Sequence, residues 1–187
     1  MSSKDKFLGH LKTVMTHKYW VFHYCKMTGI PIAGITHDMS KFSPTEFWEG
    51  VKYYQGNRSP IEACKEINGY SEAWFHHKGR NKHHYEYWVD NLDCGGTPTK
   101  MPYRYAKELI CDYIAAGRAY MGDDFTYQME LEWWYRKLEK PLAMHSCTKA
   151  FVTDVFIHLA NGESERAVLS DKWLKEIYWM TNYCDNW

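Results

Sequence analysis

No stretch of this chain is apolar for long enough to cross a membrane, and its polar start, Met1-Ser-Ser-Lys-Asp-Lys6, lacks the apolar core of a secretion signal. A cytoplasmic location is therefore expected, with no membrane partner. The six cysteines (Cys25, Cys64, Cys94, Cys111, Cys147, Cys184) include no Cys-x-x-Cys pair. That excludes zinc-ribbon spacing and offers no disulfide framework, and reduced thiols suit the cytoplasm. Net charge is missing too, since 23 basic residues balance 23 acidic ones. A general nucleic-acid binder needs a net basic surface to displace counterions; only a local basic mouth at Lys78, Arg80 and Lys82 remains. There is no internal repeat and no low-complexity tract. No segment alternates between turn signals as a strand would.

What is present is aromatic and helical. Nine Trp and fifteen Tyr mean that large rings supply much of the packing. His10, Val14, His17, Val21 and Tyr24 recur at helical spacing and predict a helix over 5–28, its buried face widened by Phe7, Leu8, Leu11, Met15 and Phe22. Gly29 and Pro31 end it. Further helices are expected at 32–42, running through His37 and Asp38, and at 44–54 behind Ser43-Pro44, an N-cap with proline at the first helical position. Others follow at 60–68, 71–78, 83–90, 103–121, 126–139, 147–160 and 164–181, with a long loop over 93–102. The chain thus predicts one all-α domain over 1–187, with its chemistry in 7–121 and a helical remainder over 122–187. Trp133, Trp134, Trp173, Trp179 and Trp187 belong either to a core or to a subunit interface, and this aromatic excess favours a homodimer.

The chemistry centres on Gly34-Ile-Thr-His-Asp-Met-Ser-Lys41. Adjacent His37 and Asp38 can bring an imidazole nitrogen and a carboxylate oxygen to one point, a pairing that suits Fe, Mn or Zn. His17 lies on the apolar stripe of the first helix and points inward. A buried histidine alone is more often a core residue than a ligand; His10 is a weaker candidate on the same stripe, and His23 falls on the surface. Asp112 shares a face with Tyr105, Leu109 and Ala116, so its carboxylate must be paired, protonated or metal-bound. The segment Ala73 to Trp88 packs His76, His77, His83 and His84 between aromatics that anchor it to the core. A fold at Gly79 lets one histidine of each pair reach a common cavity, and sequence leaves open which. Lys41, about one turn after Asp38, and Arg80 can hold a substrate oxyanion, whereas Asn81 either binds substrate or caps a turn.

These residues resemble the HD superfamily of metal-dependent phosphohydrolases, which have a helical core and ligands in the order His, His-Asp, Asp. The resemblance implies His17, His37, Asp38 and Asp112 as ligands of one metal. A second ion would share Asp38 and take His77 with His83 or His84, with Lys41 matching the lysine that follows the pair in several branches. It also implies a small phosphorylated substrate, a nucleotide or other phosphate ester, attacked by water that the metals activate. The same scaffold resembles di-iron oxygenases, and a third expectation is a non-catalytic protein that uses metal to hold its helices together. More closely, three blocks (His37 to Phe47, His76 to Trp88, Cys111 to Ala116) are similar to an uncharacterised bacterial and phage family. Its members carry Met-His-Pro-Glu-Thr where this chain reads Met144-His-Ser-Cys-Thr148, so no role carries over to His145.

Overall fold

The computed structural model describes residues 1–181; Cys184 and Trp187 lie outside the described residues. Ser2 opens α1 (Ser3–Met27) with a capping box: its hydroxyl accepts the Asp5 N–H at 3.2 Å, and the Asp5 carboxylate accepts the Ser2 N–H at 3.1 Å. Such a cap contributes about 1 kcal/mol. His10, Val14, His17, Val21 and Tyr24 are all buried along one stripe. The expected widening of that face occurs only in part: Phe7, packed on Phe47 and Trp48, and Leu11 are half-buried, whereas Leu8, Met15 and Phe22 are exposed.

α1 packs against α2 (Pro31–Thr36) and α6 (Tyr103–Met121). Gly34 permits the first contact, since a Cβ there would lie 2.9 Å from Phe22 Cα and 2.8 Å from Cys25 Cβ. The helix expected over 32–42 is broken. α2 stops at Thr36, His37 is extended, Asp38 has φ 52°, and a 3₁₀ turn occupies Met39–Phe42. Lys18 on α1 supports the break by donating to the His37 carbonyl at 2.6 Å. Ser43 then caps α3 (Pro44–Tyr53), and α4 (Pro60–Asn68) and α5 (Glu72–Lys78) pack against it.

The helix expected over 83–90 is instead a 3₁₀ turn at Tyr85–Trp88 that runs into β1 (Val89–Asp90). β1 pairs antiparallel with β2 (Thr97–Pro98), Val89 opposite Pro98. Left-handed Asn91, Gly95 and Gly96 turn the chain between them, so the helical protein carries one short hairpin, its first strand within the expected helix 83–90 and its second within the expected loop 93–102.

Beyond α6 come α7 (Tyr127–Leu138), α8 (Ser146–Ala160), α9 (Glu165–Val168) and α10 (Asp171–Met180). The single helix expected over 164–181 is divided because Ser170 caps α10, its hydroxyl accepting the Trp173 N–H at 3.3 Å. Trp134, Phe151, Phe156, Leu109, Ile110 and Ile114 form a sealed core, each contributing roughly 1.5–3 kcal/mol by burial. Trp173 packs against this core, whereas Trp133 and Trp179 are exposed. Lys107 ties the outer helices to α1: its ammonium donates to the Thr28 carbonyl at 2.9 Å and pairs with Asp171. Among the described residues, no helix is long and apolar enough to cross a membrane.

Candidate metal centre

Neighbouring residues on a continuous helix do not face one another, so His37 and Asp38 could not converge had the predicted helix run on. The left-handed turn at Asp38 brings them together, with His37 Nε2 3.2 Å from Asp38 Oδ2. Asp and Asn tolerate that conformation better than other non-glycine residues. His17 from α1 and Asp112 from α6 complete one cluster: Asp112 Oδ1 lies 3.1 Å from His17 Nε2 and 3.2 Å from His37 Nε2. His17 Nε2 is 3.8 Å from Asp38 Oδ2.

The other oxygen of Asp38 faces a different set. Oδ1 is 3.2 Å from His77 Nε2 and 3.3 Å from His83 Nε2, and His84 Nε2 stands 3.0 Å from His83 Nε2. His77 comes from the end of α5. Asn81 folds the chain back after it, its amide donating to the His77 carbonyl and to Ser40 Oγ, both at 2.9 Å. Asn81 therefore acts as a cap. The structure thus groups His17, His37, Asp38 and Asp112 in one buried cluster and Asp38, His77, His83 and His84 in another. Asp38 is common to both.

Two carboxylates behind the histidines were missed by the sequence reading. Glu108, one turn before Asp112 on α6, sits with Oε1 3.0 Å from His37 Nδ1 and 3.2 Å from His83 Nδ1. Glu46 on α3 holds His77 Nδ1 at 2.7 Å and His76 Nδ1 at 2.6 Å. Each carboxylate occupies the outer ring nitrogen and leaves Nε2 of His37, His77 and His83 turned inward, the arrangement that orients metal-ligating imidazoles. His37, His83 and Glu108 also lie close enough to form a third group. The inward Nε2 atoms give Glu108 the orienting role instead. Of the first histidine pair, His77 faces the centre and His76 faces away, half-buried on Glu46.

The electrostatics suit a divalent cation. Burial disfavours charge on His37, yet the negative charge of Asp38 and hydrogen bonds to Asp112 and Glu108 hold it well above the usual histidine range. His77 is lifted to about 9 against the same burial by Asp38 and Glu46. Burial likewise opposes ionisation of Asp38, whereas His37, Lys41 and His77 hold it well below the carboxylate range. Burial and Lys41 lower His17 to about 4; burial and His83 depress His84. Lys41 Nζ is 2.6 Å from Asp38 Oδ2. None of these neighbours is aligned as a hydrogen-bond donor to either Asp38 oxygen, and His17 Nε2 is likewise without one. Buried carboxylate oxygens in that state, ringed by imidazole nitrogens, match the donor set of a divalent ion.

Lys41 lines a cavity of about 210 Å³ that opens from the centre beside His17, His77, His84 and Asp112. Arg80 does not reach it. Its guanidinium donates to the His76 carbonyl at 3.1 Å on an exposed surface, bordering a separate pocket with Thr45 and Phe75.

Fold and site together define an all-α protein with paired, buried His/carboxylate clusters able to hold metal. The chain belongs to a family of unknown function, DUF5662, whose profile matches residues 6–158, a span that contains both clusters. Neither a curated protein nor a solved structure matches it.

Proposed function

We propose that the protein is a metal-dependent phosphohydrolase of the HD type, acting in the cytoplasm on a nucleotide or other small phosphate ester with one or two Fe, Mn or Zn ions. The observation that carries this reading is Asp38, which turns Oδ2 to one His/Asp cluster and Oδ1 to the other. His17, His37, Asp38 and Asp112 would hold one ion, and Asp38, His77, His83 and His84 a second. Bound there, divalent ions supply Lewis acidity and bring the pKa of water towards neutrality.

The remaining work falls to the chain itself. Glu46 and Glu108 hold the outer nitrogens of three histidines, which fixes the tautomer and ring plane of each and raises its basicity as a ligand. Lys41 lies between Asp38 and the cavity, so its ammonium is placed to meet a phosphoryl oxygen and stabilise charge gathering there. Mainly apolar walls limit water beside the reacting group.

The test is elemental metal content of protein purified without chelator or histidine tag, beside Asp38→Ala, followed by a phosphate-release screen with and without air. One to two equivalents in the wild type, lost in the variant, together with phosphate release, are expected. No metal after reloading overturns the reading. Oxygen-dependent turnover and colour without phosphate release would make it a di-iron oxygenase, and bound metal with neither reaction a metal-stabilised interaction protein.

A further inference from the structure

The cavity beside the centre is too small and too apolar for an arbitrary phosphate ester. Its volume of about 210 Å³ falls below the roughly 300–1,000 Å³ of pockets that enclose drug-sized ligands. Its metal-side end holds Lys41 and Asp112 with His17, His77, His84 and Glu46; Val14, Ile61, Trp74, Ala116 and Ala119 are among the apolar residues of the rest, where Thr13, Ser59, His10 and Tyr120 are polar. His10 precedes His17 by seven residues on α1, and Tyr120 follows Asp112 by eight on α6. At the helical rise both therefore lie about 10–12 Å along their helices from the centre.

His10 is the unpartnered imidazole at that far end. It is buried, and its Nδ1 has no hydrogen-bond partner. Burial, with the charge of Lys41, lowers its pKa to about 4, so the ring is neutral near pH 7. Its seat depends on Gly50, where a Cβ would fall 2.3 Å from Nε2 and 2.4 Å from Cε1. A buried, neutral imidazole with an unused nitrogen asks for a partner.

A larger basin of about 780 Å³ shares Ser59, Ile61, Trp74 and His84 with this chamber, but Lys41, His17 and Asp112 line the small chamber and not the basin. A phosphoryl group met by Lys41 beside the His17 and Asp112 cluster leaves the body of its ester in the small chamber.

We infer that the substrate is a short, mainly apolar phosphomonoester whose far end carries one uncharged hydrogen-bonding group, a hydroxyl being the simplest, received by His10, and that nucleotides are excluded. The ester part rests on the phosphohydrolase reading; the shape and polarity of the ligand do not. His10 is then a specificity-determining residue, and Gly50 positions it.

The experiment measures binding of non-hydrolysable probes to the metal-loaded protein by calorimetry: ω-hydroxybutylphosphonate, butylphosphonate and adenosine monophosphate. The hydroxyalkyl probe should bind at least about tenfold more tightly than either of the others. His10→Phe should erase its advantage over butylphosphonate, and His10→Gln should retain part of it. Gly50→Ala, which drives the ring into the chamber, should weaken both phosphonates at least about tenfold, and it decides the matter if His10→Phe does not fold. Equal binding of the two phosphonates, tightest binding of the nucleotide, or no effect of Gly50→Ala would overturn the inference. Selective phosphonate binding without hydrolysis of the matching ester would sink the reaction and keep the ligand class. Turnover of adenosine monophosphate without phosphonate preference would do the reverse.

Discussion

Glu108 and Asp112 lie on one side of α6, Ile110 and Ile114 on the other, and all four are buried. What keeps them buried differs. The apolar side meets α7, α8 and α10, and leaving water is itself the driving force, needing no particular partner. On the polar side, a carboxylate is buried only because imidazoles, an ammonium or a metal ion answer its charge. One helix therefore separates a half that holds the fold from a half that spends stability on a site.

The largest expected effect breaks the polar half alone. Asp38→Ala removes the oxygens common to both clusters, so metal affinity should fall more than about 100-fold at each, beyond what orienting residues are worth; elemental analysis after dialysis reads this. If one equivalent survives unchanged, the carboxylate does not serve two ions. Phe151→Ala strikes the apolar half and should cost about 3–5 kcal/mol, seen by urea unfolding, with metal per folded chain intact. A loss of metal there would show that the halves are not independent.

Glu130 on α7 sharpens the comparison, because it is an acid placed among the apolar packing. Burial, then the charge of Asp112, pushes its carboxyl from 4.5 up to about 8. Between those values the folded state keeps the proton and the unfolded state has released it, so stability falls as pH rises through this window and levels off above it. Glu130→Gln keeps the neutral form throughout. It should match wild type near pH 4.5 and exceed it by on the order of 4–5 kcal/mol at pH 8.5, and loading metal onto Asp112 should narrow that gap. Denaturant titrations at the two pH values check it, and a pH-independent difference would refute the buried-acid account. Smallest is Glu46→Gln, which frees His77 Nδ1 from its carboxylate and should weaken one of two ions by about 10–100-fold while sparing the other. Competition with a graded chelator separates the two.

Much of this organisation is legible in the residue order. Helical spacing located α1 and its buried stripe, and the same logic placed Asp112 inward on α6. The pattern misled where apolar residues face solvent, as Leu8, Met15 and Phe22 do, since periodicity does not say which faces a fold will cover. It also missed the break at Asp38, because no glycine or proline announces it. Glu46 was hidden by its position: three residues after the N-cap Ser43, it reads as an ordinary capping acid, yet its carboxylate turns to His76 and His77. Glu108 lies within ten consecutive buried residues of α6, Ala106 to Ala115, and beside Lys107 in the residue order it reads as an ordinary surface acid. The choice between His76 and His77 depends on where α5 packs, which their adjacency in sequence does not encode.

The shared carboxylate of Asp38 also has a magnetic consequence. Two paramagnetic ions such as Mn²⁺, one at each oxygen, would be joined by a three-atom O–C–O path, and their spins would couple through it. Titrating Mn²⁺ into the protein should then give a resonance signal that grows with the first equivalent and fades or broadens with the second. Asp38→Ala has no such path, and whatever manganese it still held would report as isolated spins.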